Sequence, residues 1–228
     1  MPVSGGHLAA ACATAIAAAG GGAADASAAT ISTTLPCIRN IGIPNALTLP
    51  LLGGGFTPNA SVTIRTATSS DPNPRTLATV QADAAGNIAK RIDPPPLHAD
   101  GTVEQTFTLA ATDDLNAANV AATTFREVRF GFDARPSTGR PSRKVTYTAR
   151  GYIPGQPVYA HFRFGGVTRR TVRLGVADSP CGIVAKRMRL LPTKTRFGTW
   201  TVFMDQVPKY SKKTLLQAKG TLSISRTR

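Results

Sequence analysis

The chain has 228 residues, a formal charge of +15, 42% hydrophobic and 6% aromatic residues, with 21 Gly and 17 Pro. A core is affordable at that hydrophobic content, and the length suits one large domain or two of about 100 residues. Frequent Gly and Pro with few aromatics argue for short strands joined by turns and against long helices, while the charge speaks of anionic partners and not of fold.

The chain opens on "LAAACATAIAAAG" from Leu8, followed by a small-residue "ASA" at Ala26–Ala28. A short apolar run before small residues reads as a secretory signal segment over 1–28. It is too short to span a bilayer, which takes about 20 apolar residues, so no transmembrane span is expected. The first Lys or Arg is Arg39, so the basic flank of such a segment is missing. A start further upstream or a flexible Ala/Gly arm are the alternatives. Beyond residue 28 only Cys37 and Cys181 remain. In an exported protein they suit one disulfide, closing a loop worth at most ~5 kcal/mol in the chain-entropy model. Two separate thiols are the other reading. The histidines, His7, His98 and His161, have no ligand spacing to either cysteine, so no metal site and no cofactor is expected.

From Gly53 the chain reads "GGGFTPNASVTI", and 96 residues on it reads "ARGYIPGQPVYA". At the same offset "IAKRIDPPP" falls on "VAKRMRLLP", and "ADAAGN" answers "ADSPCG" one residue out of step. Three segments in one order make the chain two copies of one unit, placed at 29–126 and 127–228. Thr57-Pro58-Asn59-Ala60 and Ile153-Pro154-Gly155-Gln156 have Pro second and a residue tolerant of positive φ third, which predicts type II turns. Asp83 to Gly86 predicts a further turn. Alternation gives the first unit a set of strands between 31 and 126, the longest near 46–54, 61–68, 86–92, 103–111 and 119–126. The second offers seven, near 128–134, 143–151, 157–164, 170–176, 183–190, 198–205 and 215–225. Lys90 and Lys186 fall on the nominally inward face of their strands, either as edge-protecting charges or because a bulge shifts the register.

These words, "GGGFTPNASVTI" with "ADAAGNI", resemble the immunoglobulin-like modules strung along secreted and surface proteins of bacteria. The resemblance implies an all-β chain of two tandem immunoglobulin-like β-sandwich domains, secreted or attached to a cell surface, with spacing, adhesion or ligand binding as its work.

The copies differ in charge. Residues 31–126 hold 6 Lys/Arg and 7 Asp/Glu; residues 127–228 hold 21 and 4. Three aromatics lie in the first copy and eleven in the second. Within "YAHFRFGGVTRRTVRLG" a hairpin turning at Gly165-Gly166 sets Tyr159, His161, Arg163 and Arg173 outward, with Arg169 and Arg170 near the tip. Rings among guanidinium groups suit a ligand that stacks and carries an anion, and a solvated sheet face is the plainer reading. A second cluster comprises Lys209, Lys212, Lys213, Lys219, Arg226 and Arg228. The expected function is a secreted two-module binding protein, engaging an anionic polysaccharide or other acidic cell-envelope polymer through its basic second domain. A cytoplasmic nucleic-acid-binding protein is the alternative. A secreted hydrolase ranks below both, because acids and histidines are few and no hydrolase motif is present, so no catalytic residue is named.

Overall fold

The computed structural model describes residues 28–41, 48–68, 71, 73–97, 101–192 and 196–226. The signal-like segment up to residue 27 and His98 lie outside the described residues. Sixteen strands and no helix organise the described chain. The first eight are β1 (Thr30–Thr33), β2 (Cys37–Asn40), β3 (Leu49–Gly54), β4 (Ser61–Thr68), β5 (Arg75–Gln81), β6 (Ile88–Ile92), β7 (Glu104–Asp113) and β8 (Val120–Arg129). The rest are β9 (Gly131–Arg135), β10 (Thr138–Gly139), β11 (Lys144–Arg150), β12 (Pro157–Phe164), β13 (Val167–Val176), β14 (Val184–Arg189), β15 (Gly198–Asp205) and β16 (Ala218–Ile224).

The first eight form a three-stranded sheet, β1-β3-β6, and a five-stranded sheet, β2-β8-β7-β4-β5. Adding eight to every label gives the other two sheets, β9-β11-β14 and β10-β16-β15-β12-β13. Even the pairing sense repeats: β2 runs parallel to β8 and β10 parallel to β16, while all other pairs are antiparallel. Each pair of sheets encloses its own hydrophobic cluster, one from Ile31 to Phe125 and one from Ala134 to Ile224. The fold is all-β, with immunoglobulin-like sandwich architecture.

Strand β8 carries its pairing with β7 to Val128 and with β2 to Arg129. Strands β1, β2, β5 and β10 were not foreshadowed by alternation. β1, β2 and β10 are four residues or fewer, and β5 (RTLATVQ) buries no side chain fully, so its two faces read alike.

The repeated words are turns that lock onto each other. Asn59 has φ 59°, the one positive value among the described non-glycine residues, and Gly155 has φ 78°. Both turns close with an i+3 N–H to carbonyl bond, Ala60 to Thr57 and Gln156 to Ile153. Phe56 and Tyr152, the rings that precede them, are buried. Their N–H groups donate to the carbonyls of Gly86 and Gly182, each at 3.1 Å. The return approach is tighter still. A Cβ on Gly86 would lie 2.2 Å from the Phe56 carbonyl oxygen, and one on Gly182 1.7 Å from that of Tyr152. The one-residue offset between "ADAAGN" and "ADSPCG" is an extra residue in the second turn, and that turn carries Cys181.

Lys90 and Lys186 keep regular register with Leu51 and Tyr147, without a bulge. They lie on β6 and β14, the outer strands of the two small sheets. Both lysines therefore occupy inward-face positions of an edge strand in regular register, with Lys90 exposed and Lys186 half-buried, and the bulge reading is replaced. Lys186 Nζ reaches the carbonyl of Arg173 on β13 at 2.7 Å.

Cys37 and Cys181 form a disulfide that joins β2 to the β13–β14 turn across 144 residues. Beside it Phe130 donates its N–H to the Asn40 carbonyl, and its ring centroid lies 5.1 Å from that of Tyr152. Close by in sequence, Glu127 is buried and accepts one bond, from Asn40 Nδ2 at 2.8 Å, while its other oxygen has no partner among the described residues. Burial raises its pKa against the lowering influence of Asn40 and Arg129.

Three substitutions test these contacts. Gly182→Ala forces a Cβ onto a carbonyl at positive φ and is expected to cost about 2 kcal/mol or more in urea unfolding. Gly155→Ala, with open space around the new methyl, costs only the backbone strain, about 1 kcal/mol. Glu127 works the other way. A carboxyl whose folded pKa is raised contributes stability below its unfolded pKa and loses it as pH rises through the folded value. Glu127→Gln keeps the Asn40 bond and is expected to raise Tm by a few degrees at pH 7. Scanning calorimetry should show that gain shrinking to nothing as the pH is lowered through the carboxylate range.

Candidate functional site

The polar interior differs sharply between the copies. In the first, Asp113 at the end of β7 is buried and serves the local loops. Its carboxylate accepts N–H bonds from Thr57 at 2.7 Å, Leu115 at 2.9 Å and Asn116 at 3.2 Å. Burial pushes its pKa up, but the bonds from Thr57, Leu115 and Asn119 outweigh burial and bring it to about 2. In the second copy Asp205 holds the corresponding place at the end of β15, yet the turn N–H of Ile153 is taken by Gln206 Oε1 at 3.0 Å. Gln206 Nε2 returns a bond to the Ile153 carbonyl. Asp205 is thereby free for other partners.

Those partners form a line across three strands. Asp205 Oδ1 accepts from His161 Nε2 at 2.9 Å, and His161 Nδ1 lies 2.9 Å from Thr171 Oγ1. The remaining carboxylate capacity is filled by the Val207 N–H and by Gln217 Nε2. Because both Asp205 oxygens accept, Nε2 carries the proton and Nδ1 is left to pair with the threonine hydroxyl. His161 and Asp205 are both 0% exposed. The histidine is sealed by Tyr210, whose ring stands edge-on to it at 5.8 Å. A nucleophile–base–acid arrangement needs substrate access, which this histidine lacks; what the line can do is pin the loop that follows β15.

Arg163 belongs to the same cover. Its guanidinium lies 4.1 Å from the Tyr210 ring centroid and 5.6 Å from that of Phe203. It donates to the Tyr210 hydroxyl and to the Gly166 carbonyl. Tyr159 pairs with Arg173 and His161 with Thr171 in register, so Tyr159 and Arg173 share one face. Arg170 is opposite Phe162, on the other face, and Arg169 sits where the register shifts between Phe162 and Arg163. The six sequence-selected residues therefore divide. Arg169, Arg170 and Arg173 are exposed on the edge strand, Tyr159 is half-buried, and His161 and Arg163 are engaged internally.

A different cationic face emerges from the register. On the small sheet β9-β11-β14, Lys144 stands directly opposite Arg189, and Thr146 stands between Arg187 and Arg135. All four cations are exposed. Like charges directly opposite on neighbouring strands are destabilising. The acid on this face is Asp133, which is 2.8 Å from Arg150 and 3.9 Å from Arg135. The first copy's equivalent sheet has nothing comparable: Leu52 faces Ser32 and Ala89, and Arg91 faces Pro50. Arg187 and Arg189 have no aromatic neighbours in sequence, so a pattern of rings among guanidinium groups does not point to them. The signal was present in "VAKRMRL", where alternation sends the arginines outward beside inward Val184 and Met188.

No family model matches the chain, and no curated protein matches it. Among solved structures, it is similar to a crystal structure of a tetra-tandem repeat in the extending region of a large adhesion protein. That match has 15% identity and a TM-score of 0.27, covering 86% of this chain and 48% of the other. It is also similar to Escherichia coli alpha-2-macroglobulin activated by porcine elastase, at 11% identity and TM-score 0.40, covering 86% of this chain and 22% of the other. The chain thus spans about half of the first structure and under a quarter of the second. At those scores neither likeness carries an argument about function.

The buried line gives a direct test. Asp205→Ala strips partners from His161, Gln217 and Val207 at once, and is expected to cost about 3 kcal/mol. Urea titration followed by the fluorescence of Trp200, the single tryptophan, measures it; Asp114→Ala on the surface should leave the midpoint unchanged.

Proposed function

We propose that this chain is an exported, non-enzymatic binding protein whose cationic second half engages acidic polymers of a cell envelope, an anionic polysaccharide foremost. The observation that carries the reading is the cationic row on β9-β11-β14, where Lys144 faces Arg189 and Arg135 and Arg187 flank Thr146, with Asp133 beside Arg135 and Arg150 as its counter-charge. Such a row costs stability in the free protein and is relieved by an anionic partner lying across it. Arginine forks suit the paired oxygens of carboxylate or sulfate groups. The Cys37–Cys181 bridge supports export, since disulfides persist in oxidising compartments and are rare in the cytoplasm. It weighs equally against a cytoplasmic nucleic-acid-binding role. The sealing of His161 supports binding over hydrolysis.

Two charge-matched triple variants test the reading against polygalacturonate at physiological salt. Lys144→Gln with Arg187→Gln and Arg189→Gln is expected to weaken binding about tenfold or more. Arg169→Gln with Arg170→Gln and Arg173→Gln removes the same charge from the neighbouring edge and is expected to weaken it about threefold or less. Equal losses would mean generic attraction and would remove the row as a site.

A further inference from the structure

The connection between β15 and β16 sets the two copies apart as much as charge does. In the first copy the equivalent loop between β7 and β8 runs over 114–119, six residues; in the second it runs over 206–217, twelve residues. Hairpin connections usually take two to five residues, and longer ones without secondary structure of their own are commonly functional. The added length carries Tyr210, Lys212, Lys213 and Leu215.

This loop is fastened at its base and bare at its tip. Gln217 Nε2 ties Asp205 Oδ2 to the Ser211 carbonyl, at 2.8 and 2.9 Å. Ser211 in turn accepts the Lys213 N–H on its hydroxyl and the Thr214 hydroxyl on its carbonyl. Tyr210 packs on Phe203 with centroids 5.1 Å apart, beside His161 and Arg163. Yet Leu215 is 100% exposed, and Lys209, Lys212 and Lys213 around it are exposed too. The loop thus holds its shape while presenting an apolar tip with lysines beside it in sequence.

We propose that the loop 206–217 is a membrane-contacting prong whose partner is an anionic lipid bilayer. Charge alone would suit any polyanion, but a soluble polyanion offers no apolar place for Leu215. A bilayer offers both, acyl chains at the interface for the leucine and phosphate headgroups for the lysines. Lysine, a compact and freely turning point charge, suits headgroups of varying geometry, whereas the forked arginines dominate the sheet face. The corresponding loop of the first copy makes an internal comparison. Its Leu115 is 71% exposed but stands beside Asp113 and Asp114 with no lysine, so it lacks the cationic half of the device. This prong and the polymer-binding row occupy different surfaces, and either can stand without the other.

The test is sedimentation of the full chain with vesicles of phosphatidylcholine alone or with roughly one-third phosphatidylglycerol. Binding is expected only to the anionic vesicles. Leu215→Glu should reduce it about tenfold, and Leu115→Glu should leave it unchanged. Leu215→Trp should add an emission that shifts to the blue on anionic vesicles, separate from that of buried Trp200. Since Leu215 touches no core residue, these variants fold. Binding indifferent to Leu215→Glu, no blue shift, or an equal loss in the Lys144/Arg187/Arg189 variant would overturn the prong. Loss of polygalacturonate binding in that same triple variant, with vesicle binding retained, separates the two surfaces.

Discussion

Everything in this molecule rests on a backbone contact made twice, in which an aromatic residue and a glycine from separate turns hold each other. Phe56 with Gly86, and Tyr152 with Gly182, bring two connections together at one end of each sandwich. The contact demands a residue without Cβ on one side and a bulky ring that can roof the core on the other. Given those two, the flanking strands enter the sheets at fixed positions, and the register of β4 with β7 or β12 with β15 follows. That explains why these short words survive in both copies while most positions around them have changed.

Divergence is concentrated where the two copies manage a buried aspartate. Asp113 satisfies the turn N–H of Thr57 and the amides of its own short loop, which fixes that loop and leaves the carboxylate fully used. In the later copy Gln206 takes over the turn, and Asp205 is available to His161 and Gln217. A buried carboxylate with spare acceptor capacity can anchor a longer connection from beneath. The twelve-residue loop, its Tyr210 cover and the stacking of Arg163 all depend on that reassignment. One glutamine thus permits an elaboration that the first copy has no means to hold.

Much of this was legible beforehand because turn chemistry is local. Pro58-Asn59 and Pro154-Gly155 announce their φ values, and the alternation of "KVTYTAR", "VYAHFRF" and "GTWTVFM" announces faces. Strands β1, β2 and β10 escaped because four residues or fewer cannot display a period, and β5 because neither of its sides is fully covered. The cationic row escaped for another reason: opposition of Lys144 to Arg189 is a property of register between strands 45 positions apart along the chain. His161 was visible as a histidine on a strand, but its burial comes from Tyr210, 49 residues later, which no local pattern could report.

The Cys37–Cys181 bridge also alters how the chain would respond to being pulled. Tension applied at the two ends passes through the sulfur atoms, so the 144-residue separation between the cysteines is taken off the load path. At about 3.5 Å per residue, roughly 500 Å of slack stays hidden until the bridge is reduced. Strands β14–β16 lie beyond the bridge and can still be drawn out, but the length between the cysteines is released only where thiols reach it.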